Sequence, residues 1–207
     1  MTVEPTIVVI DDDDGVRRSL RALLETWNYA VADYASAMAY LAEAPLGDCI
    51  IADVRMPQIS GIELQEELTK RGSTVPVIVM TGHGDIALAV HAMKAGASDF
   101  IEKPIDDEAL LTSIRNALEV GELTRSNAAD AKLADEKIAL LTARERDVLE
   151  HLVLGQSNKL VAHELGISPR TVEVHRARIQ SKMNVGCLSE LVRIMHAAGI
   201  APPSAST

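Results

Sequence analysis

The sequence predicts a parallel α/β sheet followed by a small all-helical domain, and three observations carry that prediction. Five short apolar runs alternate with helix-period segments across the first 105 residues. The apolar period then fades between Gly121 and Lys137, and from Leu140 onward only helix-period segments recur. The chain has 207 residues, 47% of them hydrophobic and 2% aromatic, which is enough for two aliphatic cores.

The apolar runs are Thr6–Ile10, Ala30–Tyr34, Cys49–Ala52, Val75–Met80 and Ser98–Ile101. Most are continuous rather than alternating, as expected of strands covered on both faces. Helical stripes fall between them: Val16, Leu20, Leu23 and Leu24; Ile62, Leu64 and Leu68; Ile86, Leu88, Val90 and Met93; Leu110, Leu111, Ile114 and Leu118. The α/β domain is expected over residues 1–123. A small, polar stretch around Ser126-Asn127-Ala128-Ala129-Asp130 marks a linker over 124–138. Its Ala, Lys and Glu content predicts partial helix, either as an extension of the fifth helix or as a flexible tether.

The helical domain is expected over 139–199, with a frayed Pro/Ser/Ala tail over 200–207. Thr142 and Glu145 have the spacing of a capping box. Gly155, Gly166 and Gly199 are helix stops, and Ser168-Pro169 starts a helix. The four helices predicted are Thr142–Leu154, Asn158–Leu165, Pro169–Met183 and Leu188–Ala198.

The net charge of −10 conceals an asymmetry. Residues 1–123 carry 9 Lys+Arg against 21 Asp+Glu, whereas residues 138–207 carry 8 against 6. The first domain is therefore a poor nucleic-acid ligand, and the second is able to approach phosphates. With so few aromatic residues, stacking on exposed bases is not the expected binding mode. Cys49 and Cys187 lie far apart in no metal-ligand spacing, which fits a reduced, cytoplasmic compartment. The N-terminus lacks a basic region followed by an apolar one, so no signal peptide is expected, and no apolar stretch is long enough for a membrane span.

Phosphate chemistry is the expectation at the strand ends. Ile10 is followed by Asp11-Asp12, Ala52 by Asp53, Met80 by Thr81, and the fifth strand leads into Lys103-Pro104. In an open parallel sheet, ligands bind at the carboxyl ends of the strands, so these residues should converge. Clustered carboxylates repel one another unless a cation sits among them, and an all-oxygen cluster with open positions suits Mg²⁺. Asp53 is the candidate nucleophile, forming an aspartyl phosphate. Lys103 would pair with phosphoryl oxygens, and Thr81 would donate a hydrogen bond to another. Taken alone, Asp11–Asp14 reads as a solvated helix start; the joint occurrence of all these residues makes the case. Arg55 and His83, each two residues past a strand end, are candidates for tuning how long the phosphoryl group lasts.

In the second domain, two short helices around Gly166 form a helix-turn-helix pattern whose second helix would enter the major groove of DNA. Val172 and Ile179 face the core, with Met183 as a candidate. Arg170, Glu173, Val174, Ala177 and Arg178 face the other way as candidate base readers, and Thr171, His175, Arg176 and Lys182 flank them toward phosphates. On pattern alone, an ordinary solvated helix or a protein-interaction domain stands as the alternative.

Val8-Val9-Ile10-Asp11-Asp12, Asp53-Val54-Arg55-Met56-Pro57…Gly61, Met80-Thr81-Gly82-His83-Gly84 and Phe100-Ile101-Glu102-Lys103-Pro104 together resemble the receiver domain of bacterial response regulators. Leu141-Thr142-Ala143-Arg144-Glu145, Asn158-Lys159, Leu165-Gly166-Ile167-Ser168, Thr171-Val172, Val174-His175 and Lys182-Met183 resemble the LuxR/NarL-type helix-turn-helix. The pairing is most similar to the FixJ-like branch. The resemblance implies a flavodoxin-like fold with strand order 2-1-3-4-5 and phosphorylation of Asp53 by a sensor histidine kinase. It implies Mg²⁺ bound by Asp12, Asp53 and the backbone carbonyl of Arg55, with Asp11 acting through water. Thr81 and Phe100 would be a switch pair. Base contacts are implied for Glu173, Val174 and Ala177, and phosphate contacts for Lys159, Ser168, Thr171, His175 and Lys182. Glu173 and Ala177 stand where some relatives carry Lys, which leaves the target sequence open but not DNA binding itself.

The function expected is that of a two-component transcription regulator. Its partners are the kinase, double-stranded DNA, a second copy of the chain when phosphorylated, and RNA polymerase as a further candidate. Its only chemistry is self-phosphorylation and slow autodephosphorylation, so it is not a metabolic enzyme. A phosphoryl sink, or a receiver with a protein-binding output, is the alternative.

Overall fold

A computed structural model describes residues 4–43, 47–82 and 86–200. The chain divides into two compact units, Met1–Arg125 and Ser126–Thr207.

In the first unit, strands and helices alternate: β1 (Thr6–Ile10), α1 (Asp14–Thr26), β2 (Ala30–Tyr34), α2 (Ala37–Glu43), β3 (Cys49–Asp53), α3 (Gly61–Lys70), β4 (Val77–Thr81), α4 (Ile86–Lys94), β5 (Asp99–Glu102) and α5 (Asp107–Ala139). The five strands form one parallel sheet in the order β2-β1-β3-β4-β5. β3 and β4 are buried at every residue, which is why their sequences are apolar without alternation.

The two faces of the sheet make two cores. Val8, Ile10, Ile50, Ala52, Val77 and Val79 pack under α2, α3 and the buried Ala92 of α4. Ile7, Val9, Cys49, Ile51, Ile78 and Met80 pack against Leu20 and Leu24 of α1 and Leu110 and Ile114 of α5. Each buried aliphatic side chain of this kind contributes roughly 1.5–3 kcal/mol. Burial pushes the Cys49 thiol up to about 12, so it behaves as a small apolar residue.

One element differs from the pattern reading. Of the α4 stripe, Leu88 packs against the core, whereas Val90 and Met93 do not. Ala89 and Ala92 are buried, while Val90 and Met93 are 48% and 45% exposed. Small residues face the sheet beside Leu88, and Val90 and Met93 point away. The stretch read as a linker, 124–138, is helical throughout as part of α5. Within it, Ala134 is buried in the core of the second unit and Ile138 packs against that core.

The second unit adds α6 (Ala143–Val153), α7 (Asn158–Leu165), α8 (Pro169–Met183) and α9 (Leu188–Ala197). Val148, Leu149 and Leu152 of α6, Val161 of α7, Val172 and Ile179 of α8, and Leu191 and Met195 of α9 form its core. Thr142 closes a capping box with Glu145, and Ser157 and Ser168 cap α7 and α8. Gly166 ends α7 at φ 64°, a left-handed conformation, and this turns the chain into α8. Among the described residues, no helix is long and apolar enough to cross a membrane. Residues 201–207 of the tail lie outside the described residues.

Candidate functional site

The carboxyl ends of β1, β3, β4 and β5 bring Asp11, Asp53, Thr81 and Lys103 to one edge of the sheet. Asp11, Asp53 and Thr81 are 1%, 7% and 3% exposed. Buried charges persist only when paired and hydrogen-bonded, and these are. Lys103 Nζ donates to Asp53 Oδ1 at 2.6 Å and to Asp11 Oδ2 at 2.8 Å. The remaining oxygens accept from the backbone: Asp11 Oδ1 from Asp13 N at 2.8 Å, and Asp53 Oδ2 from Arg55 N at 2.6 Å. Lys103 N in turn donates to Thr81 O at 2.8 Å, and the Lys103-Pro104 peptide is cis. Burial pulls the Lys103 ammonium down, but hydrogen bonds and charge from Asp11 and Asp53 outweigh it and hold Lys103 above the usual lysine value.

The four consecutive aspartates take different places. Asp11 is buried in the site, and Asp12 is exposed. Asp13 is the N-cap of α1, accepting from Gly15 N at 2.7 Å and Val16 N at 3.2 Å. Those backbone hydrogen bonds hold its carboxyl below the ordinary carboxylate range. Asp14 opens the helix and pairs with Arg17 and Arg18. The helix-start reading of this run describes Asp13 and Asp14, whereas Asp11 lies with Asp53 and Lys103 at the strand ends.

Among the described residues Thr81 Oγ1 donates to Gly82 O at 3.3 Å, and Phe100 is 43% exposed. Asp99 accepts from Ser113 Oγ at 2.7 Å, which ties the start of β5 to α5. Arg55 is exposed, and His83 lies outside the described residues. Sequence reasoning missed Arg17, whose guanidinium reaches the backbone carbonyl of Asp11 at 2.6 Å. Its place one turn into α1, after a run of aspartates, was the available signal.

On α8, Val172, Ile179 and Met183 are buried, while Arg170, Glu173, Val174, Ala177 and Arg178 are exposed. Lys159 and Ser168 are exposed; Thr171, His175 and Arg176 are half-buried. Ser168 and Thr171 share a hydroxyl hydrogen bond of 2.8 Å. Lys182 is partly committed elsewhere: Nζ donates to Glu145 Oε2 at 2.7 Å and joins α8 to α6. That oxygen also accepts from Thr142 N and Thr142 Oγ1. Together Lys182 and Thr142 hold the Glu145 carboxyl down at about 2. The sign follows: a depressed folded-state value stabilises above the unfolded value of about 4.3 and is lost as pH falls toward 2. Glu145→Gln should therefore cost about 1–3 kcal/mol at pH 7 and progressively less below pH 4. Urea unfolding at pH 7 and pH 3 checks this, and an equal cost at both would exclude the ionised pair as the cause.

Residues 7–115 match the family described as response regulator receiver domain, and residues 139–195 match bacterial regulatory proteins, luxR family. The chain is 53% identical over 202 residues to the transcriptional regulatory protein FixJ of Azorhizobium caulinodans, covering 96% of this chain and 95% of that one. It is 45% identical to FixJ of Bradyrhizobium diazoefficiens, covering 97% and 98%. Among solved structures, the response regulator StyR is similar with a TM-score of 0.81 at 39% identity, covering 94% of this chain and 99% of that one. Full-length FixJ from B. japonicum is similar with a TM-score of 0.59 at 44% identity, covering 96% and 99%.

Proposed function

The chain belongs to the two-component response regulators, in the FixJ-like branch that joins a receiver to a LuxR-type DNA-binding domain, and from that premise we propose that Asp53 is its phosphoryl acceptor and the switch for its DNA binding. Such a chain regulates transcription, with a sensor kinase and DNA as its classes of partner. The observation that carries the proposal is the Asp53–Lys103–Asp11 arrangement at the strand ends, with two buried carboxylates joined by a half-buried ammonium.

An oxygen of Asp53 attacks phosphorus, the bond from phosphorus to the donor's histidine nitrogen breaks, and an acyl phosphate forms. Lys103 then exchanges a carboxylate partner for a phosphoryl oxygen, and Thr81 turns its hydroxyl from Gly82 O to another. The donor set fits Mg²⁺. The oxygens of Asp11, Asp12 and Asp53 and the carbonyl of Arg55 are hard ligands. Among the described residues no ready cage of three or more acidic, imidazole or thiol side chains exists. Mg²⁺ characteristically takes one or two carboxylates and keeps its waters. When bound, it supplies charge neutralisation for the transferring group. Phe100 exchanges its exposed position for an inward one as Thr81 moves, and Arg55 and His83 set the lifetime of the phosphoryl group by shielding it from water.

The active state pairs two receivers, so two DNA-binding domains address two half-sites, with RNA polymerase as the further partner. The phosphoryl group acts only through its preference for that state. Arg170, Glu173, Val174, Ala177 and Arg178 read base edges. Lys159, Ser168, Thr171, His175, Arg176 and Lys182 approach phosphates, Lys182 doing so from its Glu145 anchor.

The test is anisotropy binding to promoter fragments recovered by genome-wide mapping, with and without beryllofluoride, across salt concentrations. The expected result is salt-dependent binding that tightens with beryllofluoride, and a log–log salt slope that shrinks by about 0.9 in Lys159→Ala. No binding at any salt overturns the DNA-binding reading in favour of a protein-binding output.

A further inference from the structure

We propose that Arg17 is a positioning residue for the divalent-cation site, fixing the Asp11–Asp12 peptide from behind. The inference rests on the proposed Mg²⁺ site at Asp11, Asp12 and Asp53.

Arg17 lies one turn into α1, and its side chain is only 12% exposed. One guanidinium nitrogen donates to the carbonyl of Asp11 at 2.6 Å. The other donates to Asp14 Oδ1 at 2.9 Å, and Nε lies 3.6 Å from Asp33 Oδ2. The planar fork thus joins the end of β1, the start of α1 and β2. Asp33 is itself held by Arg21, which also donates to Val31 O at 3.0 Å. Arg17 is therefore anchored to a strand of the sheet, and strands position groups better than loops do.

The Asp11 carbonyl and the Asp12 amide belong to one peptide plane. Holding that carbonyl fixes where the Asp12 side chain starts. Asp12 needs this, because it is exposed and makes no side-chain hydrogen bond among the described residues. Asp11 is secured independently by Lys103 and Asp13 N. Arg17 touches a carbonyl rather than a site carboxylate, so it acts through position and takes no part in phosphoryl transfer.

The sign of the effect separates this role from simple electrostatics. Removing a cation near a metal site should tighten metal binding, because a like charge is gone. Losing a positioning group should weaken it. Asp14 and Asp33 already balance the Arg17 charge, which leaves positioning as the larger effect.

The experiment is calorimetric titration of the full chain with Mg²⁺, using wild type, Arg17→Ala, Arg17→Lys and Asp12→Ala. Outer ligands of this kind typically govern about 10–100-fold in metal affinity, and Arg17→Ala should weaken Mg²⁺ binding by about ten-fold. Arg17→Lys keeps the charge but not the fork, so it should recover only part of the affinity. With acetyl phosphate, the Mg²⁺ concentration at half-maximal phosphorylation should rise by the same factor, while the rate at saturating Mg²⁺ stays at the wild-type level. A merely structural role would lower melting temperature without that split. Binding in Arg17→Ala as tight as wild type, or tighter, overturns the inference. If Arg17→Ala does not fold, Arg17→Lys carries the test, and wild-type affinity there overturns it. Wild type that takes up no Mg²⁺, or Asp12→Ala that binds as wild type does, brings down the site reading itself and this inference with it.

Discussion

Asp53→Ala and Asp53→Asn should abolish formation of a hydroxylamine-sensitive acyl phosphate, both from acetyl phosphate and from a phosphorylated kinase. The remaining acidic groups should not substitute. Asp11 lies on the neighbouring strand but is 1% exposed, and Lys103 and Asp13 N engage its two oxygens. The same variants separate function from stability. Asp11 and Asp53 share one ammonium, and two carboxylates around one cation repel each other. Replacing Asp53 with Asn relieves that repulsion, so the receiver should unfold at the same urea concentration as wild type or higher. Lys103→Met does the opposite. It strands two buried carboxylates without their cation, and about 3–5 kcal/mol is the usual cost of breaking a buried pair from one side. The Lys103 contribution is full below the ordinary lysine value and is lost as pH rises through its raised folded one. Acyl phosphate persisting in Asp53→Asn would sink the assignment. A destabilised Asp53→Asn would show instead that the acceptor is held for structure.

The site's main side chains were legible because each sits where an apolar run stops. Each alone has an ordinary use as a turn or cap residue, but Asp11, Asp53, Thr81 and Lys103 together stood out against Val, Ile and Met. Arg17 was only faintly legible: its contact is to a backbone carbonyl, and its place one turn into α1 after a run of aspartates was the signal available. The Glu145–Lys182 pair was half legible. Capping-box spacing is local, but the ion pair spans 37 residues and depends on how α6 meets α8. The helical course of α5 through 124–138 was also half legible: the Ala, Lys and Glu content predicts helix there, but not whether it continues the fifth helix without a break. The residue buried there is Ala134, too small to mark a stripe. On α4 the same small-residue packing misdirected the reading, because Val90 and Met93 dominate any hydropathy pattern while Ala89 and Ala92 do the packing.

Gly61 shows how closely fold and site are joined, and substituting it should damage both. It is the first residue of α3 and is buried. A Cβ there would stand 2.5 Å from the carbonyl oxygen of Asp53 and 3.1 Å from its carbonyl carbon. These are backbone atoms of a central strand paired on both sides, so they have little room to yield. Gly61→Ala must therefore lift the start of α3, which breaks the packing of Ile62 and Leu64 on the sheet, or push the end of β3 and carry Asp53 off its hydrogen bonds. Overpacking of this kind costs about 1–3 kcal/mol, and Gly61→Val should cost more. Phosphorylation by acetyl phosphate should slow by about ten-fold or more, since misplacement by an ångström at a reacting group can cost 10²-fold. Gly72, just beyond the end of α3, is the control. Its φ of 72° disfavours a side chain, but nothing lies within 4 Å of where a Cβ would be. Gly72→Ala should therefore cost about 1 kcal/mol and leave phosphorylation unchanged. Urea unfolding and phosphorylation rates on the two variants separate steric approach from backbone strain. If Gly61→Ala matches Gly72→Ala in both measurements, the acceptor strand is softer than its pairing implies, and the close approach of α3 is not what holds Asp53 in place.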